Sequence, residues 1–160
     1  MTDPSKSANA EQRLQDLGIA LPAPPKPLGA YSETRRTGSL LFLSGTLPID
    51  GGVPRYIGRI GGELSLEDGR RAARLATLNA LALAKEHLGS LHRVRQVVRL
   101  GVSLVTTADF REHPRVADAA SELLLSVFGP DQLSTRLVLG MYTLPLGLCV
   151  EIEIILESAG

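Results

Sequence analysis

The chain has 160 residues, of which 17 are basic and 17 acidic, so its formal net charge is zero. A domain of this length can bury about 70% of the surface of its unfolded chain, so a disulfide or a metal is not needed to stabilise it. The balanced charge and an aromatic content of only 4% disfavour RNA or DNA as the main ligand, since neither a broad positive field nor a stacking platform is available.

Cysteine usage and hydropathy point to a reducing location. The single cysteine, Cys149, excludes an intramolecular disulfide and any C-x-x-C motif. The N-terminal residues lack the apolar core of a signal peptide, and no apolar run approaches the length of a membrane span. We therefore expect a cytoplasmic protein without membrane association. We also expect no cofactor or metal, because the sequence contains no H-E-x-x-H, P-loop or nucleophile-elbow motif.

Residues 1–26 are predicted to form an N-terminal arm. EQRLQDLG, at 11–18, is long enough for two turns of helix. LPAPPKP, at 21–27, favours extended backbone because each proline fixes its own φ and restricts the residue before it. Residues 27–160 then form a single predicted domain.

Five strands are predicted within this domain. AYSETRRTG and SLLFLSG form two short strands joined at residues 37–39, followed by a Gly- and Pro-rich loop over 48–63. The β-branched segment VRQVVRLGVSLV, at 94–105, predicts a strand with one buried face. The apolar run STRLVLGMYTLPLGLCVEIEIILE, at 134–157, supplies two more strands, divided by a short turn.

Two helices are bounded by residues that commonly begin and end helices. The first starts at Ser65, a favourable N-cap, and ends at Gly89. The second runs from Pro114 in its first turn to Phe128, with Gly129 after it. Together with the strands, this order predicts an α+β fold in which both helices cover one face of a mixed or antiparallel sheet. Because no element is left to cover the other face, we expect the chain to form an oligomer.

Arg136 and Glu151 are the residues best suited to chemistry. Alone, each has an ordinary interpretation: Arg136 as a surface or interface ion pair, and Glu151 as one of several glutamates on the solvent face of the last strand. The short turn between their strands predicts that the strands pair and bring the two side chains together. Arginine could then hold a carboxylate by two hydrogen bonds while glutamate accepts a proton or orients water. Alternation in CVEIEIILE predicts that the even-numbered residues 150–156 face the core and that Cys149 lies with the glutamates on the other face. Cys149 is interpreted as a small core or interface residue.

Several segments resemble the Rid (YjgF-type) family, also called the L-PSP endoribonuclease family. They are LGAYSE, LFLSGTLP and the long segment AARLATLNALALAKEHLGSLHRVRQVVRLGVSLVTTADF. The most specific is an arginine in a strand, followed by Leu-Pro and then V-E-I-E. The resemblance extends from about residue 27 to 157, and HPRVADAASELLLSVFG resembles the longer-chain branch of the family.

The resemblance implies a chorismate-mutase-like fold that assembles as a homotrimer with pockets between subunits. It further implies hydrolysis of reactive enamines or imines to 2-keto acids and ammonia, without cofactor or metal. On this sequence the carboxylate-binding arginine corresponds to Arg136 and the glutamate linked to the attacking water to Glu151. The other pocket positions correspond to Tyr31, Ser44 and Gly45.

Two positions depart from the family pattern. The cysteine that many members carry two residues after the arginine is Val138 here, and a helix position that is often asparagine is Asp118. Asp118 is a substrate-binding candidate, although its charge would repel a carboxylate unless it is protonated or turned away. Two alternatives to the imine deaminase stay open. One is a non-enzymatic trimer that binds a small carboxylate such as a 2-keto acid, and the other, disfavoured by charge and composition, is an endoribonuclease.

Overall fold

The computed structural model describes residues 9–159. Within that range the chain forms a five-stranded sheet, a small two-stranded sheet and three α-helices. The elements in chain order are α1 (Ala10–Asp16), β1 (Thr34–Thr37), β2 (Leu40–Leu43), β3 (Ile49–Asp50), β4 (Val53–Pro54), α2 (Leu66–Leu88), β5 (Val94–Val105), α3 (His113–Phe128), β6 (Thr135–Met141) and β7 (Val150–Ser158).

The large sheet has the strand order β1-β2-β7-β5-β6. All neighbours are antiparallel except β5 and β6, which are parallel. A parallel pair needs a crossover connection, and α3 provides it. Helices α2 and α3 pack together on one face of the sheet, and their apolar residues join those of the strands in the core. The predicted α+β class, with a mixed sheet and helices on one face, is confirmed.

The predicted boundaries of α2 and α3 are confirmed to within one residue. At the start of α2 the Ser65 hydroxyl accepts a hydrogen bond from the Asp68 amide at 3.1 Å, while the Asp68 carboxylate accepts one from the Ser65 amide at 2.9 Å. This capping box satisfies amides that the first turn would leave unpaired. Gly89 ends α2 with a φ of 80°, a conformation that favours glycine. Helix α3 starts at His113, directly before the predicted Pro114.

Strand β7 supplies the centre of the core. Its even-numbered residues from Val150 to Leu156 are buried, whereas Glu151 and Glu153 point to the opposite face. This is the predicted alternation. Cys149 is an exception: it precedes the strand and is fully buried, so it belongs to the core rather than to the face that carries the glutamates. Burial raises the pKa of its thiol to about 12, which leaves it protonated and unreactive.

The predicted pairing of the last two strands is wrong. Strand β5 lies between β6 and β7 and pairs with both of them. Because α3 returns the chain to run parallel with β5, β6 is added at the outer edge of the sheet. Residues 142–149 then cross to the other side of β5, where β7 pairs in the antiparallel direction. A short connection between two strands therefore did not produce a hairpin.

The helix of the N-terminal arm is integrated into the fold. In α1, Ala10 and Leu14 are buried in the core. The Glu11 carboxylate accepts hydrogen bonds from the Leu91 amide at 3.0 Å and from Lys85 Nζ at 2.8 Å. Residues 21–27 have no regular secondary structure, as their prolines predicted. The first eight residues of the predicted arm lie outside the described range.

Candidate functional site

The strand register determines which face of the sheet each candidate occupies. Arg136 lies opposite Leu100, a fully buried residue of β5 that faces the helices. Glu151 lies opposite Ser103, whose side chain points away from the helices. We call the side without helices the open face. Since side chains alternate along a strand, Arg136 and Glu151 belong to opposite faces of the sheet. The two side chains therefore do not meet within one chain.

Glu151 borders a cleft of about 360 Å³ on the open face. We call it the Glu151 cleft; its lining residues include Gly45, Ser103, Leu139, Glu151 and Glu153. A Cβ atom at Gly45 would lie 2.3 Å from Glu151 Oε1, far inside van der Waals contact. The carboxylate therefore packs directly against the Gly45 backbone, and any side chain at this position would displace it.

The Glu151 carboxylate is half-buried. Burial raises its pKa, and the neighbouring charge of Glu153 raises it further. Among residues 9–159, no side chain or amide donates a hydrogen bond to this carboxylate. A carboxylate with a raised pKa is a better proton acceptor near neutral pH than an exposed one. Water is the natural partner for such a group.

The chain around Gly45 is fixed by its neighbours. Pairing between β2 and β7 stops after Phe42–Ile155 and resumes at Thr46–Ile152, so three residues face two. This bulge interrupts the ladder beside Gly45. On its far side the Thr46 hydroxyl donates to the Ala76 carbonyl at 3.0 Å. The bulge is therefore anchored to helix α2.

Tyr31, Ser44 and Gly45, predicted together, do lie together. They border a narrow pocket of about 30 Å³. The Tyr31 hydroxyl accepts a hydrogen bond from the Leu28 amide at 3.1 Å, and the ring is 46% exposed. The Ser44 hydroxyl donates to the Ser32 carbonyl at 2.6 Å. Gly45 borders both this pocket and the Glu151 cleft, so the two adjoin at this residue.

Arg136 borders a second cleft, of about 340 Å³, between α3 and the start of β6. We call it the Arg136 cleft; its lining residues include Asp118, Ser121, Glu122, Leu125, Gln132 and Arg136. Arg136 Nη1 donates to Asp118 Oδ1 at 2.8 Å and to the Ser121 hydroxyl at 3.1 Å. The charge of Asp118 is thus directed at the guanidinium and balanced by it.

Ser121 and Ser103 are two of the cleft residues that were not predicted. Ser121 lies three residues after Asp118 on α3, so helical spacing places both on the side of Arg136, and this spacing could have been noticed. Ser103 enters the Glu151 cleft only because β5 is the neighbour of β7. No feature of the sequence near Ser103 indicates that neighbour.

Two other kinds of feature are absent from residues 9–159. No group of three or more His, Cys, Asp or Glu side chains is placed to hold a metal ion there. No helix in the same range is both long enough and apolar enough to cross a membrane.

The fold and the two clefts define a small α+β protein of a known class. The family model described as "YjgF/chorismate_mutase-like, putative endoribonuclease" matches residues 11–156. The chain belongs to this family. The match starts before the segment in which the sequence shows the resemblance and therefore includes nearly all of α1.

Individual relatives agree with this membership. Protein TCP17 of Trypanosoma cruzi is 36% identical over 152 residues, which cover 94% of this chain and 95% of that protein. The crystal structure of a "putative endoribonuclease" from Shewanella oneidensis MR-1 is 35% identical, with a TM-score of 0.90 over 94% of this chain and 99% of that one. The structure of RidA from a Psychrobacter species is 25% identical, with a TM-score of 0.56, and covers 86% and 95% of the two chains.

Proposed function

We propose that the protein is a Rid-type deaminase that hydrolyses reactive 2-imino acids to 2-keto acids and ammonia. In this proposal Arg136 binds the substrate carboxylate and Glu151 activates the attacking water. Tyr31, Ser44 and the Gly45 backbone form the wall beside the reacting carbon. Membership of the YjgF family and similarity to a RidA protein support a general Rid-type role.

The observation that carries the proposal is the environment of Glu151. Its carboxylate is half-buried against Gly45, has a raised pKa, and accepts no hydrogen bond from any residue in 9–159. A partly desolvated carboxylate lowers the free energy of unfolding, whereas an exposed glutamate would not. A role in binding and deprotonating water explains why that cost is retained.

Assembly is the second part of the proposal. Arg136 and Glu151 lie on opposite faces of one sheet, so a site that uses both must take them from two copies of the chain. The open face carries apolar side chains that are 39–45% exposed, namely Leu137, Leu139, Met141 and Phe42. Such a face favours self-association. A cyclic homotrimer, in which each interface joins different surfaces of two copies, would repeat the completed pocket three times.

The reaction makes modest demands on these groups. Water adds to the carbon of a protonated C=N bond while Glu151 accepts a proton from it. Glu151 returns that proton to the nitrogen and the C–N bond breaks. The released ammonia takes the hydroxyl proton as the carbonyl of the 2-keto acid forms, so nitrogen leaves as ammonium. The substrate carboxylate is unchanged throughout and serves only for binding. Orientation by Arg136 and one positioned water suffice for such chemistry.

The test is a coupled assay in which an amino-acid oxidase generates the imine in situ. The wild-type protein should accelerate release of ammonia, and Arg136→Ala should lower kcat/KM by at least ~100-fold because the substrate is no longer positioned. Arg74→Ala, which removes an exposed arginine of α2 that lines neither cleft, is the matched control and should keep full activity. Equal rates for wild type and Arg136→Ala would refute the proposal.

A second function, binding of a small carboxylate without turnover, is favoured by one observation. Arg136 lies on the opposite face of the sheet from Glu151, so one chain carries the carboxylate-binding group without the proton acceptor beside it. Calorimetric binding of pyruvate that depends on Arg136, together with no acceleration in the imine assay, would establish this alternative. An endoribonuclease is disfavoured by the neutral charge. Nuclease activity that Arg136→Ala abolishes would restore that possibility.

A further inference from the structure

The contact between Arg136 and Asp118 engages one guanidinium nitrogen and one carboxylate oxygen. Nη1 of Arg136 makes both described hydrogen bonds, one to Asp118 Oδ1 and one to Ser121. Within residues 9–159, Nε and Nη2 donate to no acceptor. These two nitrogens form the side edge of the guanidinium, whose parallel N–H groups match the two oxygens of a carboxylate. The edge that a substrate carboxylate needs is therefore available while Asp118 stays bound.

Asp118 also keeps one oxygen available. Its Oδ1 accepts the bond from Arg136, whereas Oδ2 accepts no hydrogen bond from residues 9–159. The Asp118 side chain is 46% exposed and borders the same cleft as the guanidinium. The cleft thus presents a cation edge and an anion oxygen side by side, which is the arrangement that a ligand with both charges requires.

The remaining charge in the cleft does not alter this balance. Glu122 also borders it, but its Oε2 accepts a hydrogen bond from Arg70 Nη2 at 2.8 Å. The local charge next to Arg136 is therefore that of the Arg136–Asp118 pair, which is zero. A ligand carrying only a carboxylate gains from Arg136 and loses to Asp118, whereas a zwitterion gains from both.

From this geometry we infer that Asp118 makes the site selective for zwitterionic 2-iminium acids, and against the 2-keto acids that lack a cationic nitrogen. The inference rests on the proposed function and specifies its substrate class. The substrate carboxylate binds the free edge of Arg136, and the protonated nitrogen beside it binds Asp118 Oδ2.

This selectivity has a consequence for turnover. Hydrolysis adds the oxygen of water to the carbon, breaks the C–N bond and releases the nitrogen as ammonium. The product keeps the carboxylate but has lost the group that binds Asp118. The same aspartate that attracts the substrate therefore weakens binding of the product and promotes its release.

The test compares two unreactive probes with the same carbon skeleton, L-alanine and pyruvate, by isothermal titration calorimetry. The wild-type protein should bind L-alanine more tightly. In Asp118→Asn the preference should shift towards pyruvate by about tenfold. The substitution removes both the attraction of Asp118 for the ammonium group of L-alanine and its repulsion of the probe carboxylate, and each contact is partly exposed to solvent. Ser121→Ala is the matched control: it removes the neutral partner of Arg136, so it should weaken both probes and leave their ratio unchanged. Asp118→Ser serves as a second variant if Asp118→Asn fails to fold.

The outcomes separate the inference from the proposed function. If Arg136→Ala abolishes binding of both probes but Asp118→Asn leaves their ratio unchanged, the inference is overturned and the proposed function stands. If the wild-type protein binds neither probe at millimolar concentration, both are contradicted.

Discussion

Strands β6 and β7 come from one apolar stretch of the sequence, yet they have different roles in the fold. Strand β7 pairs on both sides, with β2 and β5, and every second residue is buried. Among residues 9–159, strand β6 pairs with β5 alone, and Val138 is the one residue of the strand that is partly buried. Apolar side chains on the central strand are therefore buried and stabilise the folded chain. Similar side chains on the edge strand stay exposed, where they are available for association.

The candidate groups differ in the same way. Glu151 is carried by the central strand and is packed against Gly45, so its position is determined by the core. Arg136 is carried by the edge strand and is positioned by Asp118 and Ser121 of α3. One half of the proposed site is therefore carried on a rigid central strand, and the other depends on two side-chain contacts.

The largest expected effect is the loss of stability when a side chain of β7, rather than of β6, is truncated. Ile152→Ala removes a fully buried side chain of β7 and should lower the free energy of unfolding by about 2–5 kcal/mol. Leu139→Ala, at a position of β6 that is 44% exposed, should change it by less than about 0.5 kcal/mol in the dissociated chain. Urea denaturation at low protein concentration measures both. Equal losses in the dissociated chain would mean that β6 is part of the monomer core.

At high protein concentration the comparison becomes sharper. If copies associate over the open face, Leu139 is buried in the assembly and its truncation becomes destabilising, because binding to the folded state adds to apparent stability. The effect of Ile152→Ala should not depend on concentration to the same degree. A Leu139→Ala effect that is independent of concentration would contradict association through this face.

The next effect concerns the rigid half of the site. Gly45→Ala should displace the Glu151 carboxylate, since the new Cβ would lie 2.3 Å from Oε1. The carboxylate is the end of a flexible side chain, so the fold should survive while imine hydrolysis falls by ~100-fold from misplacement of the base. Gly101→Ala is the matched control on the same face, because its Cβ would meet Glu153 at an ordinary 3.5 Å. Activity lost equally in both variants would remove the special role of Gly45.

The smallest effect is the cost of keeping Glu151 ionised. Burial and Glu153 raise its pKa, so the folded chain holds this proton more tightly than the unfolded chain. Stability from this group is therefore lost as pH rises through the raised pKa. Glu151→Gln should be more stable than wild type at pH 8, by about 0.5 kcal/mol after allowance for solvent screening. The advantage should disappear below the ordinary pKa of glutamate, and a wild type that is the more stable at pH 8 would contradict the assignment.

The sequence predicted the parts of the fold that local chemistry decides. Ser65 and Gly89 bound α2 because capping and a left-handed φ are properties of a few adjacent residues. The alternation of β7 likewise identified its buried face. The order of β6 and β7 could not be predicted, because alternation within a strand does not determine its neighbour, and β5 intervenes through contacts distant in sequence.

For the candidate site too, residues close in sequence were easier to place together than residues on different elements. Tyr31, Ser44 and Gly45 lie together, as the family resemblance implied. The pairing of Arg136 with Asp118 joins residues 18 apart on different elements and could not be read from either segment. The separation of Arg136 and Glu151 onto opposite faces followed only once the strand register was known.

The central claim, that each site takes Arg136 from one copy and Glu151 from another, can be tested by mixing two inactive variants. Arg136→Ala and Glu151→Gln are combined in equal amounts, dissociated and allowed to reassemble, and imine hydrolysis is measured. Random assembly of a cyclic trimer leaves about a quarter of the pockets with both groups intact, so about a quarter of wild-type activity should return. A mixture no more active than the two separate variants would show that the groups do not act together across copies.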